Sequence, residues 1–333
     1  MKLLDKRYEQ VRLFFDPAPH KYTDTLGNEY LSTTTFIHQY QPKFEKSYWL
    51  KKKAKELGIS EKELAKQWQN ITDEACSRGS EKHDGLEKGI KGASKFTEAI
   101  RYLDDLDTGE MVTIADIPNF AAEYKLLDLS QFIEATDGKY PDIYTAFKKY
   151  TNAGYKIYAE IGMFLIDYLI SGTIDVLLIR DDGFIIGDWK TNRGGLIFEA
   201  GYYVKDKRQK PAQMTAQWVR KDETLLPPAN KLPNCNGSLY TLQTSMYAYA
   251  TELILDLPCR GIWLCHIDCD FILNEYGMPR KFEDGLYHIK HNPVEKTTFF
   301  VMPYRKDIIR SLLEDRMKEL KAKKINNQFN LGL

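Results

Sequence analysis

The chain has 333 residues, 43% of them hydrophobic, which suits one elaborated domain or a catalytic core with a helical appendage, and no run reaches the ~18–20 apolar residues of a membrane helix. Forty-seven Lys and Arg balance 47 Asp and Glu, which excludes a uniformly basic nucleic-acid binder, so any phosphate-binding surface is local. Five cysteines without a CxxC pair, and an N-terminus (MKLLDKRYEQ) lacking the apolar run of a secretory signal, point to a soluble protein of a reducing cytoplasm.

In chain order, residues 11–35 read as short strands around turns at Asp16-Pro17 and Gly27-Asn28. A helical pattern follows from Thr33 to about Ile100, broken at Leu57-Gly58-Ile59-Ser60, where Ser60 and Glu63 fit a capping box. Residues 73–88 read as a further helix, and 101–150 are mixed, helical around Tyr144 to Tyr150. At about Tyr155 the texture changes to three strand-like runs: YKIYAEIGMFLI, LISGTIDVLLIR and GFIIGDWKTN. Residues 200–238 read as a long irregular, Pro-containing stretch, a length that is often functional. A helix over 238–257, a strand over 261–273 and an amphipathic helix over 303–323 complete the pattern. This order predicts an α/β sandwich around a small mixed sheet.

The hairpin of residues 172–190 concentrates charge. By strand alternation Asp175 shares a face with Leu177 and Ile179, and Asp188 shares one with Ile186 and Lys190. A turn centred between Asp181 and Asp182 sets Asp175 opposite Asp188, whereas an Asp182-Gly183 turn sets it opposite Lys190. In either register the three charges converge on one face, with opposed Cβ atoms roughly 5 Å apart. Two carboxylates at that spacing can grip a hard cation, and an Asp–Lys–Asp structural ion pair is the competing reading.

Asp175 followed by Asp188-Trp189-Lys190 resembles the PD-(D/E)XK nuclease superfamily, and GTID and DWKT are similar to its RecB-like exonuclease branch, which includes mitochondrial genome maintenance and phage-encoded exonucleases. The proline of the name is absent, because Ile174 precedes Asp175. The resemblance implies a restriction-endonuclease-like core, a central mixed sheet flanked by helices, with a mainly helical N-terminal extension. It extends to RGSEKHDGLEKG (78–89), where His83 and Glu87 lie four apart on a helix. A lone helical histidine is ordinarily a surface residue, but the motif would make His83 a metal ligand with Asp175 and Asp188, and Glu87 a partner behind it. Lys190 would orient the attacking water or stabilise developing charge. Glu160, on the preceding strand, either faces the site or sits at an exposed sheet edge. Gln243 and Tyr247, four apart in LQTSMYAYA, resemble the branch's Q-x-x-x-Y element, with Gln243 at the reacting groups and Tyr247 against DNA; Tyr240 and Tyr249 read as packing. HKYTDTLGNEYLSTTTFI (20–37) matches more faintly.

The resemblance implies residues 1–150 contributing a histidine ligand, a catalytic core over 151–325 and a flexible tail over 326–333. The implied activity is Mg²⁺- or Mn²⁺-dependent DNA hydrolysis on single strands or free ends, in phage or mobile-element replication, recombination or repair, alongside proteins of those pathways and, if phage-encoded, in the host cytoplasm. A structure-specific endonuclease and a non-catalytic DNA-binding recombination accessory protein are the alternatives. The run Lys205, Lys207, Arg208 and Lys210 and the cluster Lys51 to Lys55 are candidate phosphate contacts, equally readable as solvated charge, with Trp189, Tyr202, Tyr203 and Trp218 as candidate stacking platforms. Cys265 and Cys269 share one strand face and read as buried free thiols instead of iron–sulfur ligands.

Overall fold

The computed structural model describes residues 3–94, 108–120 and 126–330. An eight-stranded mixed sheet forms the centre. Three short strands, β1 (Leu13–Asp16), β2 (Lys21–Asp24) and β3 (Glu29–Ser32), lead into α1 (Thr33–His38). The β2–β3 turn closes on Asp24, whose buried carboxylate accepts from the backbone N–H groups of Leu26 and Asn28, from the Asn28 amide and from the Tyr30 hydroxyl. Helices α2 (Lys46–Leu57) and α3 (Glu61–Ser94) meet at Gly58, φ +70°, with Ser60 Oγ accepting from Glu63 N–H at 3.1 Å. The separate helix expected over 73–88 is part of the single helix α3. The helical reading of 95–100 lies outside the described residues, as do 101–107 and 121–125.

After α4 (Leu129–Ala135) and α5 (Pro141–Asn152), the strands β4 (Lys156–Leu165), β5 (Ile170–Arg180) and β6 (Gly183–Lys190) form an antiparallel meander. The stretch 200–238 is more ordered than its prolines suggest. It holds a separate antiparallel pair, β7 (Gly201–Asp206) and β8 (Gln213–Arg220). Helix α6 (Asn236–Leu255) then returns the chain to β9 (Cys259–Asp268), parallel to β6, and β10 (Lys296–Val301) and α7 (Lys306–Asn330) end the fold. Strand β10 has no counterpart in the sequence reading. Helix α7 continues through 326–330, which correct the expected tail, and 331–333 lie outside the described residues.

The sheet has an apolar layer on each face. On one, Leu239, Leu242, Met246 and Ile254 of α6 and Ile309, Leu312 and Leu313 of α7 pack over Leu177, Ile179 and Ile186. On the other, Leu86 and Ile90 of α3, Phe132 of α4 and Phe147 of α5 pack over Val176, Leu178 and Trp189. Strand β3 pairs in parallel with the start of β5, at Leu31–Ile170 and Ser32–Ser171. The N-terminal strands therefore belong to the same sheet as the core expected over 151–325, and residue 150 marks no break in it. Among the described residues no helix is long and apolar enough to cross a membrane.

Candidate active site

The hairpin takes the first of the two registers. Arg180 pairs with Gly183 and Val176 with Gly187, which aligns Asp175 with Asp188. The ladder stops at Val176–Gly187, and the Asp175 carboxylate takes over: Trp189 N–H donates to its Oδ2 at 2.9 Å. Asp175 thus lies where β5 and β6 part. Gly187, just before Asp188, is required by packing, because a Cβ there would lie 2.2 Å from the Trp263 ring.

On the other side of β5, Glu160 sits between the pairs Ala159–Val176 and Ile161–Ile174 and adopts φ +51°. That left-handed backbone is costly for a non-glycine residue. It shifts the strand's alternation. Ile157 and Ala159 pack into the α3 layer, whereas Ile161, Met163 and Leu165 pack into the α6 layer. Strand β5 slips at the same level, since Val176 and Leu178 face α3 while Ile174 and Ile170 face α6. Glu160 and Asp175 occupy the slip, which frees both carboxylates from the apolar faces.

His83 on α3 meets them there. Its Nδ1 lies 3.5 Å from Asp175 Oδ2 and 3.8 Å from Glu160 Oε1. One ligand atom from each of His83, Glu160 and Asp175 falls within 4.8 Å of the others. The alternative of Glu160 at an exposed edge is thereby removed, and Glu160, not Asp188, is the third member of this tightest cluster. Asp188 instead turns to Lys190, with Oδ2 and Nζ 2.5 Å apart, while its Oδ1 has no hydrogen-bond partner among the described residues although the side chain is fully buried. Lys190 Nζ in turn lies 4.6 Å over the ring of Tyr240, which is a neighbour of the site and not merely packing.

Gln243 Nε2 donates to the Tyr247 hydroxyl at 3.0 Å. Tyr247 is 3% exposed, so the expected DNA contact is corrected: its ring lies under the site, against Gly172, where a Cβ would come within 3.0 Å of it. The Tyr22 hydroxyl, missed in the sequence within the 20–37 segment, lies 3.3 Å from Thr173 Oγ1 and is raised in pKa by burial and by the Glu160 charge. Glu87 pairs with Lys91 at 2.7 Å and, with Asp84 and His83, lines a cavity of about 290 Å³ opening beside Glu160.

The charges act on one another. Burial raises Asp175, and Glu160 adds to the rise against the pull of His83 and Lys190. Asp188 is pushed up to about 6 by burial and by Asp175, although Lys190 opposes this. Burial alone would lower His83, but the Asp175 and Glu160 charges outweigh it and raise it to about 9. Burial also opposes the charge on Lys190, yet Asp188 and Asp175 leave its pKa raised, so it is a cation at neutral pH. Three carboxylates and one imidazole around an unsatisfied buried carboxylate oxygen form a donor set suited to a hard divalent cation.

No protein-family model matches the chain, and no curated protein matches it.

The remaining expected residues divide. Trp189 is 2% exposed, which corrects its reading as a stacking platform. Arg208 pairs with Asp206 at 3.0 Å, Lys207 acts on Glu56 across from it, and Lys210 lines a cavity of about 570 Å³ with Arg280 and His288. The run 205–210 is thus not one continuous patch. Cys265 and Cys269 are buried and free, and burial raises both thiols.

Proposed function

We propose that the protein is a metal-dependent nuclease of the PD-(D/E)XK type that hydrolyses phosphodiester bonds in DNA, with a restriction-endonuclease-like core. The observation that carries this reading is the convergence of His83, Glu160 and Asp175 beside the buried pair Asp188–Lys190, on the strands and helix that the motif requires. A purely structural ion pair needs neither the imidazole nor the left-handed Glu160.

His83, Glu160, Asp175 and Asp188 would hold one or two Mg²⁺ or Mn²⁺ ions. Bound there, the ion supplies charge stabilisation at the scissile phosphate. Lys190, charged and steadied by Asp188 and the Tyr240 face, points its ammonium at the developing negative charge and at the attacking water. Gln243, held by the Tyr247 hydroxyl, positions the water or a phosphate oxygen from the α6 side. The cavity beside His83 and Glu160 admits the nucleophile.

The test is degradation of end-labelled DNA by purified protein in Mg²⁺ or Mn²⁺ with an EDTA control, together with Lys190→Ala and Asp175→Ala. Cleavage that needs the metal and is lost in both folded variants supports the reading. Full activity in either variant overturns it. Circular and end-blocked substrates in the same assay separate exonuclease from endonuclease action.

A further inference from the structure

Cations from five separate stretches of chain act on one another. They are Lys53 on α2, Arg78 on α3, Arg193 just beyond the end of β6, Lys205 on β7 and Lys281 on the loop between β9 and β10. That loop is the template. Gln213 of β8 grips the Lys281 backbone in both directions, donating to its carbonyl at 2.7 Å and accepting from its N–H at 2.9 Å. Gln213 pairs with Asp206 and Met214 with Lys205, so Lys281 is fixed beside Lys205. Farther along, Tyr287 carries the Arg193 guanidinium 3.5 Å from its ring centroid, and Phe271 carries Arg78 at 5.4 Å. Arg78 is also paired with Glu74 at 3.5 Å, whereas the Tyr287 face holds Arg193 in place without neutralising it.

Among the described residues no carboxylate pairs with Arg193, Lys205 or Lys281. Each is instead pressed by its neighbours. Desolvation and then the Lys53 and Arg193 charges lower Lys205. Desolvation and then Lys205 and Arg193 lower Lys281. In a chain with as many acidic as basic residues, unpaired cations held together by dedicated hydrogen bonds and ring contacts are a cost that the fold does not recover internally. A polyanion recovers it. The position of Arg193, three residues beyond Lys190 on the same strand end, directs the group toward the phosphate-cleaving chemistry proposed above.

We propose that Arg193, Lys205 and Lys281 form a track for the sugar–phosphate backbone of a single nucleic-acid strand leading to the His83–Asp175 site. The track itself stands on the cation geometry, whereas its direction rests on the nuclease reading. Phe282 N–H donates to the Leu286 carbonyl at 3.0 Å, which closes a turn that sets Tyr287, and the Arg193 guanidinium on its ring, beside Lys281. Tyr202, half exposed on β7 near Lys205, and the edge-to-face Tyr203–Trp218 pair, with centroids 4.9 Å apart, offer aromatic contacts to the bases.

The test uses the full chain carrying Asp188→Asn, so that binding is read without cleavage. Anisotropy of a labelled oligodeoxythymidine about 20 nucleotides long, and of a duplex of equal length, is titrated over a range of salt in EDTA. Adding Lys205→Gln and Lys281→Gln together should weaken single-strand binding about tenfold and flatten the slope of log K against log salt by about 1.4, roughly 0.7 per lost phosphate contact. Because the change relieves repulsion, the melting temperature should hold or rise, an outcome that a structural role for the lysines would reverse. Lys318→Gln, at an exposed lysine paired with Asp315 on α7, serves as the neutral comparison. An unchanged slope, or tighter binding of the duplex than of the single strand, overturns the proposal. Absence of metal-dependent cleavage in the parent protein with these binding results intact removes the nuclease reading and leaves the track standing.

Discussion

Replacing Asp188 by asparagine distinguishes a strained ligand from a structural ion pair by the sign of its effect on stability. Asp188 titrates at about 6 in the folded protein against 3.8 for a free aspartate, even with Lys190 touching it. A carboxyl raised on folding binds more protons in the native than in the unfolded state, so stability is greatest below the unfolded value and falls as pH rises through the window between 3.8 and about 6. A shift of about two units costs about 3 kcal/mol once the group is ionised in both states, at about pH 8, and less than about 1 kcal/mol at about pH 4. Asparagine keeps the shape and removes the ionisation. In EDTA the variant should therefore be more stable than the parent by up to about 3 kcal/mol at about pH 8, with the two converging at about pH 4. Adding Mn²⁺ should reverse the order, because saturation at about 1,000 times Kd stabilises chiefly the parent, by about 4.1 kcal/mol, more than the ionisation of Asp188 costs it. Urea unfolding at the two pH values, with and without metal, measures all four states. A parent more stable than the variant at high pH in EDTA would refute the reasoning, since Asp188 would then be serving chiefly as the partner of Lys190.

Other outcomes follow from neighbouring contacts. Asp24→Ala removes an acceptor used by four donors in the β2–β3 turn and should cost about 3 kcal/mol in chemical unfolding. Burial opposes that carboxylate's charge but the Asn28 and Tyr30 hydrogen bonds outweigh it and lower its pKa, so its contribution is present above the unfolded value of 3.8 and fades as pH falls below it. Gly187→Ala drives a methyl into the Trp263 ring and should cost roughly 1–3 kcal/mol while displacing Asp188, read as a lower melting temperature together with lost cleavage. Tyr247→Phe deletes the acceptor for Gln243 and should cost about 1 kcal/mol of stability but a larger share of cleavage, because Gln243 loses its orientation.

Some of this was legible in the sequence for definite reasons. The period of two in β5 and β6, with an Asp-Asp turn between them, limits the hairpin to two registers, and both bring Asp175, Asp188 and Lys190 together. His83 came from the resemblance of residues 78–89 to a family motif, since helical spacing alone marks such a histidine as a surface residue. Glu160 remained open because its role depends on a left-handed backbone that residue type does not announce. Tyr240 looked like core for the same reason that most aromatics at helical spacing do, and only the distant placement of Lys190 gives its ring a cation. The β7–β8 pair was hidden by prolines that bound it without interrupting either strand. Lys281 and Arg193 carry no local pattern at all, and hydrogen bonds and ring contacts between distant segments bring them together.

The alternation slip at Glu160 also bears on the order of folding. His83 reaches the slip from the helical layer on one side of the sheet, and Lys190, Tyr240 and Gln243 come from the other. A folding intermediate without the α3 layer would lack His83, one of the four proposed ligands, and bind a cation less well. A bound ion should consequently act late, leaving the folding rate nearly unchanged and slowing unfolding, as stabilising interactions absent from the transition state do. If the site takes the proposed metal, its occupancy would report the docking of α3 onto the sheet, and the escape of the ion would be coupled to the lifting of that helix.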